Sequence, residues 1–164
     1  MQRWAPWSWL SGSVIVLLLD QWSKHWAVQA LAESPLRVFA WLNFRLAYNT
    51  GAAFSFMANA GGWQAWVLLI LPLLVCVGLV VWLWRTPASG VGQALGLCLI
   101  IGGALGNVTD RFRLGYVVDF IDCHWFGWHF ATFNLADSAV CVGAGVLMLT
   151  ILRAKENSDE NKIS

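Results

Sequence analysis

The sequence predicts an all-α membrane protein: four transmembrane helices with a small β-sheet built from the two loops of one membrane face. Three observations predict it. Of 164 residues, 59% are apolar and 12% charged, with a mean hydropathy of +0.62, too little polarity for a surface that faces water on every side. Four apolar stretches, residues 9–30, 63–84, 91–107 and 135–152, each come near the ~20 residues that cross a bilayer. In a four-span hairpin series, the end of the first span, the first loop, the end of the third, the last loop and the start of the fourth share one side. Asp20, Asn49, Asn107, Asp110, Arg111, Asp119, Asn134 and Asp137 all fall there.

In the first span, Ser13, Asp20 and Lys24 lie on one helical stripe, and Asp20 and Lys24 can pair at i, i+4. Arg3 before an apolar run resembles a signal peptide, but no small-x-small cleavage site follows, so the segment is a retained span. The first outer loop, 43–56, alternates in part and is aromatic, with Asn49, Thr50 and Gly51 supplying a turn. Pro72 should bend the second span. The connection 85–90 is a short Pro-containing turn. The third span carries Gly92, Gly96, Gly102, Gly103 and Gly106, a small-residue code for close helix approach, and should be central. In the last loop, 116–121 and 128–133 are strand candidates. Asp137 falls in the first turn of the fourth span. Residues 1–152 thus form one membrane-embedded domain, and 153–164 a polar tail expected to fray.

A net charge of +1 without a basic patch excludes a nucleic-acid partner. Lys and Arg divide evenly between the two sides, and cytoplasmic termini are favoured because Lys24, Arg111 and Arg113 have carboxylates nearby. Cys76, Cys98 and Cys141 lie within spans as small apolar residues, and only Cys123 lies in a loop, which argues against a disulfide framework. Cys123 beside His124 is poor geometry for a thiol peptidase. Asp119, Asp122, His124 and His129 lack the spacing of a metal site, and no cofactor is expected.

Three aspartates, Asp20, Asp119 and Asp137, therefore carry the functional question, because an ionisable side chain against apolar segments is costly. Two carboxylates sharing a low-dielectric site keep one proton between them near neutral pH, so Asp119 and Asp137 could activate water and protonate a leaving amine. The alternative is that Asp137 serves as a helix N-terminal anion, Asp119 as a loop cap and Asp20 as the partner of Lys24. A second functional class is a small proton- or cation-coupled exporter using Asp20 as its carrier site, although no repeated halves support it.

The segments Asp20 to Lys24, NTGAAFS at 49–55, GGALGNVTDR at 102–111, VVDFID at 117–122 and FNLAD at 133–137 resemble, in order, the motif set of the lipoprotein signal peptidase (signal peptidase II) family, bacterial membrane aspartic peptidases. The resemblance implies four transmembrane helices with a periplasmic sheet and a short periplasmic helix in the inner membrane. It implies removal of the signal peptide from diacylglyceryl-modified prolipoproteins before the lipidated cysteine, without a cofactor, by a monomer in contact with membrane lipid. Carried over by position, it makes Asp119 and Asp137 the catalytic dyad, Asn49, Asn107, Arg111 and Asn134 substrate-site groups, and Asp20 with Lys24 supporting residues.

Overall fold

In the computed structural model, which describes residues 6–51, 63–87 and 90–163, the chain forms four long helices and one four-stranded antiparallel sheet. Helix α1 spans Pro6–Ala30 and inverts the usual amphipathic pattern. Ser13, Asp20, Lys24 and Ala27 are buried on one stripe, while Val14, Ile15, Leu18, Leu19 and Trp22 point outward. An apolar exterior over a polar interior is what a lipid environment demands. Strand β1 (Leu36–Phe39) turns into β2 (Leu42–Asn49). The end of the NTGAAFS segment, from Ala52, and the rest of the first loop through residue 62 lie outside the described residues.

Helix α2 (Trp63–Arg85) runs without interruption through Pro72. Helix α3 (Val91–Leu114) is the centre of the bundle and packs against the other three. Its glycines do this at close quarters: Gly96 abuts the Gly143 carbonyl and Leu147 of the last helix, and Gly102 abuts the Ser13 carbonyl and Val16 of α1. A core of Leu83, Ala94, Leu97 and Ile101 fills the space between α2 and α3.

Two boundaries differ from the hydropathy reading. Helix α3 does not stop at Asn107 but continues through the polar run VTDRFRL. It ends at Gly115, whose φ of 81° permits the left-handed cap and whose N–H donates to the Arg111 carbonyl at 3.1 Å. Hydropathy marks where lipid contact ends, whereas a helix ends where its hydrogen bonding is capped. The last helix, α4 (Leu135–Ile163), likewise continues through residues 153–163 where fraying was expected, because Ala, Lys and Glu are strong helix formers and no Gly or Pro interrupts them. Three helical segments, Ala65–Arg85, Val91–Leu114 and Leu135–Glu156, are both long and apolar enough to cross a membrane.

Strand β3 (Val117–Trp125) is longer than expected, β4 is only Trp128–His129, and Phe133 rejoins the sheet through a bridge to Ile121. The order is β1-β2-β3-β4, with Ala47 opposite Asp119 and Asn49 opposite Val117. A second core of Ala27, Leu31 and Phe120, flanked by Phe44, Leu46 and Ile121, fastens the sheet to the last turns of α1. The short helix implied by the family resemblance is not among the described elements.

Candidate active site

The polar residues predicted to gather at one face do meet, at the junction of α1, the end of α3, the start of β3 and the start of α4. Asn134 begins the arrangement. Its Oδ1 accepts the Asp137 N–H at 2.9 Å, and Asp137 Oδ2 accepts the Asn134 N–H at 3.2 Å, a reciprocal box that closes the N-terminus of α4. Its Nδ2 faces Asp119 Oδ1 at 2.7 Å, Asn107 Oδ1 at 3.1 Å and the Val118 carbonyl at 3.3 Å. Asn107, on α3, donates through Nδ2 to Asp137 Oδ1 at 2.7 Å. The two aspartates are therefore tied to one another through the side chains of Asn134 and Asn107.

Their surroundings differ. Asp119 is 2% exposed on β3, whereas Asp137 is half-buried. Burial, reinforced by the charge of Asp137, pushes the Asp119 carboxyl up to about 6, although hydrogen bonds from Asn49 and Asn134 and the charge of Lys24 pull the other way. Asn49 reaches this site from the end of β2, where its Oδ1 also accepts the Gly51 N–H at 2.9 Å. Gly51 has φ of 88°, a conformation that the NTG turn needs and that a side chain would strain. Arg111 stands within electrostatic reach of Asp137, Asp119 and Asp110.

Asp20 and Lys24 do pair, at 2.9 Å, but the pairing is wider than i, i+4 spacing suggests. Lys24 Nζ also meets Asp110 Oδ2 at 2.9 Å and donates to Asn107 Oδ1 at 3.0 Å. Asp20 Oδ1 accepts the Ala136 N–H at 2.9 Å, so a carboxylate of α1 satisfies a free donor at the N-terminus of α4. Asp20 is fully enclosed and its oxygens are engaged, and the exporter reading that made it a carrier site finds no support.

Two contributors escaped the sequence reading of the site. Asp110 accepts the Val118 N–H at 3.1 Å and the Gln21 side chain at 2.8 Å, which fixes the start of β3 to α3 and α1. Its i, i+3 spacing from Asn107 in a continuing helix was the available signal. Gln21, which also reaches the Gly106 carbonyl at 3.3 Å, gave none.

The residues weighed as a metal set are divided. Asp119 belongs to the network above, while Asp122 pairs with His129 Nδ1 at 2.8 Å and Arg45 Nε at 3.5 Å. Burial pushes the Asp122 carboxyl up, but His129 and Arg45 more than offset it and hold it below the ordinary range. His124 stacks on His129 at 5.0 Å. Among the described residues, no three such side chains converge on a point where a metal could sit.

The family model described as "Signal peptidase (SPase) II" matches residues 13–153. A protein of Coxiella burnetii (strain Dugway 5J108-111) named "Lipoprotein signal peptidase" is 52% identical over 148 residues, 90% of each chain. One of Pseudomonas aeruginosa PAO1 with the same name is 45% identical over 157 residues, covering 94% of this chain and 92% of that one. A solved bacterial membrane enzyme superposes with a TM-score of 0.79 at 27% identity, over 95% of this chain and 94% of that one.

Proposed function

Because the chain belongs to the signal peptidase II family, whose members remove signal peptides from prolipoproteins, we propose that it does so through Asp119 and Asp137, with water as the nucleophile. The observation that carries this reading is the link between a buried carboxyl pushed up to about 6 and a second carboxyl, made through Asn134 and Asn107. Such a pair holds one proton and one charge near neutral pH. Asp119, the more buried, begins protonated and polarises the scissile carbonyl. Asp137, held by Asn107 and the Asn134 main chain, begins ionised and takes a proton from water as the oxygen attacks the carbonyl carbon. The tetrahedral intermediate then collapses as the amine leaves with a proton, and the pair returns to its single-proton state. Arg111 and Asn49 flank the site and position the peptide backbone.

The substrate in this reading is a prolipoprotein whose cysteine carries a diacylglyceryl group, cut immediately before that cysteine. α1, 25 residues long, counts as a fourth span because its outward face is apolar and its charges are internally paired. The site then lies at the outer face of the inner membrane, with both termini cytoplasmic. A lipid-anchored scissile bond sits at that depth. Cleavage of a diacylglyceryl-modified precursor by purified protein tests the reading. Asp119→Asn and Asp137→Asn should each abolish turnover while still inserting and still binding precursor, and the double variant should be little worse than either. Substantial cleavage by either single variant would return these residues to capping and anchoring.

A further inference from the structure

The end of the sheet remote from Asp119 carries a surface that peptide cleavage does not use. There the β1–β2 turn, residues 40–41, and the β3–β4 turn, residues 126–127, lie side by side, joined by a hydrogen bond from the His124 N–H to the Trp41 carbonyl at 2.9 Å. Phe39 stacks on Trp41 at 5.5 Å, and Trp125 meets Phe126 edge-on at 5.4 Å. All four are exposed, as are Trp128 and Phe130. A groove of about 470 Å³ runs between the two turns.

One residue incurs two costs at once. Phe126 has φ of 46° and Gly127 φ of 80°, so the two-residue turn requires positive φ at both centres, where Asn, Asp and Gly are favoured and a bulky side chain is strained. The same Phe126 is 95% exposed, the highest value for a large apolar side chain among the described residues. A strained, fully projected aromatic at a loop tip reflects a use that outweighs both costs.

The surroundings identify the medium. The acidic side chains of the sheet, Asp119 and Asp122, are 2% and 1% exposed, while its exposed charges are Arg37 and Arg45. An uncharged aromatic tip with cationic flanks matches a bilayer interface bearing anionic headgroups. The patch is also continuous with the lipid-facing side of α1. Trp26 of that helix, next to exposed Trp22, packs edge-on against Phe44 and Phe120 of the sheet.

We propose that residues 125–128, Trp-Phe-Gly-Trp, together with Phe39 and Trp41, insert into the lipid interface and anchor the free end of the sheet to the membrane. Six residues of β3 separate Asp119 from Trp125, about 20 Å of extended chain, so the sheet is held at both ends. It is held at one end by α1 and the Asp110 bond to Val118, and at the other by lipid.

The test uses the full chain with Cys76, Cys98, Cys123 and Cys141 replaced by Ser, a nitroxide on Phe126→Cys, and vesicles of phosphatidylcholine and phosphatidylglycerol. Collision with oxygen should be strong and collision with a water-soluble nickel chelate weak, relative to the same label on Glu33→Cys in the turn after α1. Equal nickel access at the two positions overturns the proposal. So does spin–spin broadening at position 126 that disappears on dilution with unlabelled protein, since the tip would then cover a second copy. This measurement does not depend on the catalytic reading. A second variant, Phe126→Asn, suits the turn and should melt no lower than the parent in detergent. In vesicles it should lose roughly tenfold in kcat/KM on precursor, with kcat/KM in micelles unchanged. Parental kcat/KM in vesicles overturns the anchor.

Discussion

Asp20→Asn separates scaffold from chemistry most sharply. The native carboxylate is 0% exposed and does two things: Oδ2 pairs with Lys24 at 2.9 Å, and Oδ1 accepts the Ala136 N–H at 2.9 Å. An asparagine keeps the second, because its carbonyl oxygen still accepts from Ala136. It loses the first, and its NH2 group would point a donor at an ammonium. Removing one partner of a buried pair costs 3–5 kcal/mol when the remaining charge is stranded. Lys24 is not stranded, since Asp110 stays at 2.9 Å and Asn107 at 3.0 Å, so the loss should fall near the bottom of that range, ~3 kcal/mol. At roughly 2–4 °C per kcal/mol for a chain of this length, the melting temperature in detergent should drop by about 6–12 °C, with partial turnover retained. Lys24→Met should be worse, because it leaves both Asp20 and Asp110 buried without a cation. The assay is a melting curve run beside precursor cleavage for both variants. An Asp20→Asn protein that melts like the parent yet does not turn over would refute the scaffold argument and make Asp20 part of the chemistry.

At pH 7.5, Asp119→Asn should melt no lower than the parent and up to ~3 kcal/mol higher in stability. A folded carboxyl raised from 3.8 to about 6 makes the native state lose stability as pH climbs through that window, and asparagine escapes the loss; an unchanged pH dependence of melting in the variant would contradict this origin. The alkaline limb of kcat/KM should fall near pH 6 for the free enzyme, and Asn49→Ala should move it upward by removing a bond to the ionised form, which a pH–rate profile would settle. Gly106→Ala would set a methyl 2.5 Å from Asp20 Oδ2 and 3.2 Å from Ala136 Cβ, costing about 1–3 kcal/mol. Gly145→Ala meets open space and should stabilise by about 0.5–1 kcal/mol, so equal melting of the two variants would show that the bundle does not pack on Gly106. In intact cells a cysteine replacing Glu33 should label with an impermeant reagent while one replacing Glu156 should not; the reverse pattern inverts the proposed orientation.

Properties that depend on local spacing were legible in the sequence alone. The apolar stretches, the i, i+4 pairing of Asp20 with Lys24, the close-packing faces of Gly102 and Gly106, and Asp137 in the first turn of α4 all follow from helical periodicity within a few residues. The ordered motifs carried the family. Helix ends were less legible, because hydropathy records the lipid boundary while Gly115 and the polar helix formers after Leu152 set the hydrogen-bonded ends. Only the tertiary structure decided how the site is assembled. The bond from Ala136 to Asp20 spans 116 residues and that from Lys24 to Asn107 spans 83, and no local pattern encodes a partner that far away. The same holds for the inequality of the two carboxyls. Desolvation sums over every atom that excludes water, and Asp119 is enclosed by α3, β2 and the Asn134 cap of α4, elements that meet only in the folded bundle.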